Sequence, residues 1–228
     1  MPDSLFGSDS DSDDDSNADD ERIPGLYLFP DAVPADVQHA LTLALSESVW
    51  PGPASNQAML FDSPTRSALP SFLAPVLDLL PAVLAPLPPT LRATIFDPTK
   101  PRQCILNLYR PGEGISSHVD LPARYEDGIV GISLLSSTDL EFTRVDHDPD
   151  DDDDDVHHHH VVVRLDPGSV YVLSGPARYD YAHGIAYRDA DVVVDRDGTE
   201  STVKRGVRMS VTLRRMRDGA EVVGPSGE

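Results

Sequence analysis

Residues 107–120 read NLYRPGEGISSHVD, and this stretch decides how the rest of the chain is interpreted. An apolar strand runs into a turn with proline and glycine, and the pair His118-x-Asp120 follows that turn. Side chains two residues apart on an extended backbone lie on the same side, so the imidazole and the carboxylate can reach one cation. Two histidines and one carboxylate on one face of an octahedral ion form the facial triad of non-haem Fe(II) sites. The stretch therefore predicts a metal site that needs a second histidine.

His183 fits that requirement best. Outside the run His157–His160, the chain contains only His39, His118, His147 and His183. We predict that His183 stands after a strand and before a glycine, where a ligand can project from a rigid scaffold. The run of four histidines follows a poly-Asp run and could chelate transition metals, but a flexible run cannot fix a coordination geometry.

A second polar pattern occupies residues 208–214, which read RMSVTLR. Polar and apolar residues alternate there, so on a strand all the polar side chains face one side. Two guanidinium groups beside a metal need an anion, and a dicarboxylate would supply it through a bidentate arginine contact and chelation of the metal. The alternative is an ordinary exposed strand face with salt bridges. The four polar residues are Arg208, Ser210, Thr212 and Arg214.

The second half of the chain is predicted to be mainly β. Its short segments are rich in β-branched and aromatic residues and are separated by turn sequences. Many short strands of this kind favour a two-sheet antiparallel barrel or jelly roll, mostly β, with N-terminal helices packed outside. We predict an edge strand at 23–30, an amphipathic helix at 36–48, and a long loop or short hairpin at 50–66. Residues 69–91 are expected to hold one or two short helices, the best run being 71–84. The predicted strands are 103–109, 130–135, 140–144, 160–165, 169–173, 192–195 and 207–214.

The formal net charge of −21 is concentrated in two short runs. Residues 1–21 hold nine acidic and no basic residues, and residues 146–155 hold eight acidic and no basic ones. The rest of the chain carries 22 acidic against 18 basic residues, so the net charge alone does not exclude a polyanionic partner. We predict an acidic disordered tail at 1–21, one domain at 22–217 with an Asp/His-rich loop insertion at 146–160, and a C-terminal tail at 218–228.

The single cysteine, Cys104, excludes an internal disulfide and a cysteine-based zinc site, and it is interpreted as a core residue. No apolar run is long enough to span a membrane, and the N-terminus carries no basic, apolar signal segment. The expected location is the cytoplasm, the nucleus or both, with no membrane partner.

Taken in order, these motifs resemble the AlkB family of Fe(II)- and 2-oxoglutarate-dependent dioxygenases. The resemblance covers roughly residues 23–217 and rests on the stretch 107–120, the segment 174–185 (SGPARYDYAHGI) and the strand 208–214. It implies a double-stranded β-helix, or jelly-roll, core and the use of Fe(2+), 2-oxoglutarate and O2. By this resemblance iron is held by His118, Asp120 and His183. By the same resemblance 2-oxoglutarate is held by Asn107, Tyr109, Arg208, Ser210 and Arg214.

The segment 125–134 (YEDGIVGISL) is similar to the branch of the family that hydroxylates modified wobble uridines in tRNA. We therefore expect a monomeric enzyme that hydroxylates or oxidatively demethylates a nucleic acid, with RNA (tRNA) favoured over alkylated DNA. The alternative is a protein side chain as substrate, and a non-catalytic module is favoured least because no metal or co-substrate residue is missing. A nucleic acid needs a basic rim and stacking surfaces. The candidates for substrate contact are Trp50, Met59, Arg110, Tyr125, Arg178 and Tyr179, with Arg124, Arg215 and Arg217 as further rim residues.

Overall fold

The computed structural model describes residues 23–52, 55–62, 68–145, 160–194 and 197–220. The helices are α1 (Ala35–Ser48), α2 (Ala74–Val83), α3 (Pro89–Ile95) and α4 (Gly175–Tyr179), with one 3₁₀ turn at Ser71–Leu73. The strands are β1 (Leu26–Phe29), β2 (Gln57–Asp62), β3 (Arg102–Tyr109), β4 (Ile115–His118), β5 (Ile129–Leu134), β6 (Thr138–Arg144), β7 (His160–Leu165), β8 (Val170–Leu173), β9 (Tyr181–Ile185), β10 (Ala190–Val194), β11 (Glu200–Lys204) and β12 (Arg208–Arg215).

Two antiparallel sheets face each other. The larger has the strand order β1-β8-β5-β12-β3-β2, and the smaller has the order β4-β9-β6-β7. Strands β10 and β11 form a separate hairpin, which in chain order comes after the strand that carries His183 and before the strand that carries Arg208. The prediction of a mostly β jelly roll with flanking N-terminal helices is confirmed.

The larger sheet separates two apolar cores because its strands alternate between two faces. On its outer face, Leu106, Val130 and Val211 pack with the helices through residues such as Leu45 and Leu80. On its inner face, Ile129, Tyr171 and Leu173 pack against the smaller sheet through Leu140 and Phe142. Strand β12 is central, so its odd-numbered residues anchor it in the helix-side core while its even-numbered residues face the space between the sheets.

The sequence missed several local features. Segment 50–66 contains strand β2, which pairs with β3 at the edge of the larger sheet. His183 lies within β9 rather than after a strand, because β9 forms only by pairing with β4 and β6. Strands β4 and β11 were also absent from the prediction. Helix α2 contains Pro81, whose preceding residues still form regular turns.

The predicted acidic tail at 1–21 lies outside the described residues, as do residues 146–159 of the predicted insertion at 146–160 and residues 221–228 of the predicted C-terminal tail at 218–228. The predicted domain limits therefore stay predictions. Within the described ranges, no helix combines the length and the apolar character needed to cross a membrane.

Candidate functional site

Two histidines lie side by side on neighbouring strands of the smaller sheet. His118 ends β4 and is the register partner of His183 on β9, and their ring centroids are 4.7 Å apart. The Nδ1 atom of His118 lies 2.9 Å from the carbonyl oxygen of Ser116. A carbonyl can only accept, so Nδ1 carries the proton in the neutral ring and Nε2 keeps its lone pair for a metal. Burial lowers the pKa of His183 to about 4, so its imidazole is neutral at physiological pH.

Asp120 brings a carboxylate to the same place. Its side chain is 3% exposed, and its Oδ1 atom lies 3.9 Å from Nε2 of His118. The same oxygen forms an ion pair with Arg214, whose Nη2 atom is 2.8 Å away. The other oxygen, Oδ2, is buried and has no hydrogen-bond partner among the described residues. A buried carboxylate oxygen without a donor is costly, so the site favours a cation or a donor at this atom.

These three side chains fit the chemistry of a divalent metal. Two imidazoles and one carboxylate match the non-haem iron triad, and the orphaned oxygen of Asp120 is the acceptor that such an ion would satisfy. No group of three or more metal-binding side chains in the described ranges is already closed around one point.

A buried guanidinium, that of Arg208, lines the same cavity as these groups. Arg208 is 4% exposed, and its Nε donates to the hydroxyl of Ser133 at 3.0 Å. Its guanidinium lies over the ring of Tyr109, 5.3 Å from the centroid. Among the described residues no carboxylate forms an ion pair with it, so its buried charge is uncompensated. Burial accordingly lowers the pKa of Arg208, and a bound carboxylate would offset that cost.

The remaining predicted co-substrate residues lie on the same inner face. Ser210 is the register partner of Asn107 on one side and of Ser133 on the other. The amide oxygen of Asn107 accepts from Gln57 at 2.8 Å. One cavity between the sheets thus gathers all eight residues predicted to hold metal or co-substrate. It is lined by Asn107, Tyr109, Ile115, His118, Asp120, Ile129, Leu140, Tyr171, Leu173, His183, Ile185, Arg208, Ser210, Thr212 and Arg214.

Tyr171 is a cavity residue that the sequence did not single out. It lies opposite Gly131 on the neighbouring strand. A Cβ atom at Gly131 would lie 2.1 Å from Cζ and 2.4 Å from the hydroxyl of Tyr171, so the ring tip rests directly over the glycine. Burial raises the pKa of Tyr171 to about 12, and it stays a neutral hydroxyl. This contact depends on the pairing of β5 with β8, and no local sequence pattern predicts it.

Three of the predicted substrate contacts require correction because their side chains are buried. Trp50 is 8% exposed and belongs to the helix-side core. Tyr125 is 5% exposed, with the guanidinium of Arg214 over its ring at 4.9 Å. Arg178 is 1% exposed and donates to two backbone carbonyls, so it offers nothing to an external ligand. The half-buried Arg215 likewise donates to backbone carbonyls, those of Ile95 and Lys100.

The other substrate candidates have exposed surface. Met59 is 57% exposed on the edge strand β2. The side chain of Arg110 is 43% exposed and lies 3.5 Å from Glu113, and Tyr179 is half-buried against the guanidinium of Arg178. Charges of both signs lie around the segment that follows Asp120. The basic residues there are Lys100, Arg124 and Arg217, and the acidic ones are Glu126, Asp127 and Asp218.

Comparison with known proteins gives a consistent result. Residues 61–214 match the family model described as the 2OG-Fe(II) oxygenase superfamily. The tRNA (carboxymethyluridine(34)-5-O)-methyltransferase ALKBH8 of Macaca fascicularis is 33% identical over 129 residues, which are 52% of this chain and 18% of that protein. The alkylated DNA repair protein ALKBH8 homolog of Arabidopsis thaliana is 29% identical over 226 residues, covering 86% of this chain and 60% of its own length. The chain thus spans less than two thirds of both relatives.

The structure of OsALKBH1 superposes on this chain with a TM-score of 0.52 at 16% identity, over 84% of this chain and 98% of that one. At this identity the likeness bears on the fold alone, and it agrees with the two facing antiparallel sheets.

Proposed function

Because the chain belongs to the 2OG-Fe(II) oxygenase superfamily, we propose that it hydroxylates or oxidatively demethylates a nucleic-acid substrate, with RNA, specifically tRNA, favoured over alkylated DNA. Membership of the superfamily confirms the predicted enzyme class and the predicted use of Fe(2+), 2-oxoglutarate and O2. The AlkB-like character is supported by relatives that carry the names ALKBH8 and AlkB homolog.

In this proposal the two sets of cavity residues have separate tasks. When bound, Fe(II) together with 2-oxoglutarate supplies the oxidising chemistry, in which O2 is consumed and succinate and CO2 are released. The protein fixes geometry and excludes water. The residues that would hold the metal are His118, Asp120 and His183. The residues that would hold the co-substrate are Asn107, Tyr109, Arg208, Ser210 and Arg214.

Arg208 is the anchor for a distal carboxylate. Its buried guanidinium is already oriented by Ser133 and by the ring of Tyr109, so little side-chain freedom is lost when an anion binds. Arg214 orients the carboxylate of Asp120 by pairing with its Oδ1 atom, which leaves the Oδ2 atom without a partner. Ile129, Leu140 and Leu173 form the apolar wall that keeps water from the reacting centre.

The likeness to the ALKBH8 relative carries the choice of substrate, because that relative's name specifies uridine 34 of tRNA. The name of the Arabidopsis relative refers instead to alkylated DNA, so both nucleic acids remain in the proposal, in that order. Of the six predicted substrate contacts, Met59 and Arg110 have the most exposed surface for a base or a phosphate.

The proposal is tested by mass spectrometry of modified ribonucleosides in cells with and without the protein. Loss of one hydroxylated or demethylated nucleoside, restored by the wild-type chain and not by His118→Ala, is the expected result. Nucleoside profiles that are the same in all strains would sink the RNA assignment. Purified protein given Fe(II), ascorbate, 2-oxoglutarate and bulk tRNA should form succinate in proportion to the modified tRNA.

A protein side chain is the second candidate, and the mixed charge beyond Asp120 favours it. Lys100, Arg124 and Arg217 are matched there by Glu126, Asp127 and Asp218, whereas a nucleic-acid rim is predominantly basic. Succinate formation that tRNA and DNA leave unchanged, but that a fractionated protein extract raises, would favour this candidate. The proposed location remains the cytoplasm, the nucleus or both, and the proposed oligomeric state a monomer.

A further inference from the structure

Arg178 is a buried cation that binds backbone next to a proposed metal ligand. It lies on α4, is 1% exposed, and is among the largest fully buried side chains of the described fold. Its Nη1 donates to the carbonyl oxygen of Asp120 at 2.6 Å, and its Nη2 donates to that of Leu121 at 3.3 Å. One guanidinium thus grips two successive peptide groups at the point where the stretch that holds Asp120 ends.

This contact joins two segments that are far apart in sequence. Five residues after Arg178, the chain reaches His183 on β9. The hydrogen bond from Arg178 to Asp120 spans 58 residues of sequence. Helix α4 itself is held by the hydrogen bond from the amide of Ala177 to the carbonyl of Pro24.

The burial of this charge has a cost that packing alone does not justify. Among the described residues no carboxylate forms an ion pair with Arg178, and its Nε atom has no hydrogen-bond partner. Burial lowers the pKa of Arg178, and the nearby charge of Asp120 opposes that effect. An apolar residue of similar size would avoid the cost of desolvation. The cost of burying this charge therefore indicates that the hydrogen bonds donated by Arg178 have a specific role.

We propose that Arg178 is a positioning residue, which ties the backbone of Asp120 to the helix leading into His183 and so sets the spacing of the metal-holding groups. The inference rests on the proposed function for the existence of a metal site. It predicts that Arg178 acts on metal affinity rather than only on stability, because partners one step removed from a metal typically contribute 10- to 100-fold to its binding.

Arg215 provides a matched control. Its Nε and Nη1 atoms donate to the carbonyls of Ile95 and Lys100 at 3.0 and 2.8 Å, so it also bridges two backbone groups. Burial lowers its pKa as well. Its acceptors lie at the last residue of α3 and just before β3 rather than beside Asp120. Lysine at either position keeps the charge but offers a single nitrogen on a flexible stem in place of the two fixed nitrogens that contact the two carbonyls.

The experiment titrates Mn(II) or Co(II) into the full-length chain, in a background where His157–His160 are serines so that the histidine run binds no second ion. Wild type, Arg178→Lys and Arg215→Lys are compared by calorimetry and by the visible absorption of Co(II). About 10- to 100-fold weaker binding in Arg178→Lys, with an altered Co(II) spectrum, is expected. Arg215→Lys is expected to bind as wild type does, even where its melting temperature falls.

Equal metal affinity in Arg178→Lys and wild type would overturn the inference, and so would an equal loss in both variants. If the wild type itself bound no metal, the proposed function would fail first. If Arg178→Lys did not fold, hydrogen exchange of the wild type decides the matter. Metal should then slow exchange in residues 120–125 and in α4 together, and protection of only one of the two would refute the coupling.

Discussion

Gly131→Ala tests the account of the inner face most directly. The new Cβ atom would lie 2.1 Å from Cζ and 2.3 Å from Cε1 of Tyr171, whereas ordinary contacts are 3.4–4 Å. The ring tip must therefore move by more than about 1 Å within a packed cavity, which typically costs about 1–3 kcal/mol. Alanine in a strand interior gains about 0.5–1 kcal/mol over glycine, which offsets part of that cost.

The two effects are separated by a double-mutant cycle with Tyr171→Ala. In the wild-type background Gly131→Ala should lower the free energy of unfolding by up to about 2 kcal/mol, which lowers the melting temperature by at most about 4–8 °C for a domain of this size. In the Tyr171→Ala background the clash is absent and only the backbone gain remains, so the same substitution should stabilise the protein by up to about 1 kcal/mol.

The assay is urea unfolding of the four proteins, with calorimetric titration of 2-oxoglutarate in the presence of Mn(II). Affinity for 2-oxoglutarate should fall in Gly131→Ala because the displaced ring enters the cavity. The reasoning is refuted if Gly131→Ala changes stability by the same amount, with the same sign, in both backgrounds.

Arg208→Ala should weaken 2-oxoglutarate binding by about 2 kcal/mol or more, roughly 30-fold, because the anchoring charge is buried, and an unchanged dissociation constant in calorimetry would contradict the clamp. Asp191 is fully buried; its burial raises its pKa, but hydrogen bonds from Arg205 and Arg188 outweigh this and lower it to about 2. The stability it contributes is therefore complete above its ordinary value of 3.8 and lost as pH falls from there towards 2, and Asp191→Asn should flatten that part of the stability-against-pH curve while costing about 3 kcal/mol at pH 7. Cys104 is buried and its pKa is raised to about 12, so Ellman's reagent should react with it only after denaturation; rapid reaction in the native protein would show that β3 opens.

The residues around the cavity were predictable where the signal was local. His118 and Asp120 are two residues apart, and Arg208 to Arg214 alternate with apolar residues, so period-two geometry alone placed each set on one face. The jelly roll followed from many short strands separated by turns. These patterns need no knowledge of which strand pairs with which.

The failures share a different cause. Strand β9, the contact of Tyr171 with Gly131, and the burial of Arg178 all depend on pairing between segments more than 30 residues apart. Arginine, tryptophan and tyrosine outside a periodic segment suggest an exposed ligand contact by their chemistry. Instead Arg178 donates to two backbone carbonyls, Tyr125 packs under the guanidinium of Arg214, and Trp50 packs in the helix-side core.

Because side chains alternate between the two faces of the larger sheet, each of its inner strands carries two sets of positions under different constraints. In β3, β5 and β8 the odd-numbered positions border the cavity and the even-numbered ones the helices, and in β12 the order is reversed. A comprehensive substitution scan of these strands should therefore divide by the parity of the residue number. The helix-side positions should tolerate exchange among apolar residues of equal volume. The cavity-side positions should tolerate only residues that preserve ligand binding. Substitutions on the cavity face can therefore change ligand binding while leaving the packing of the helix-side core intact.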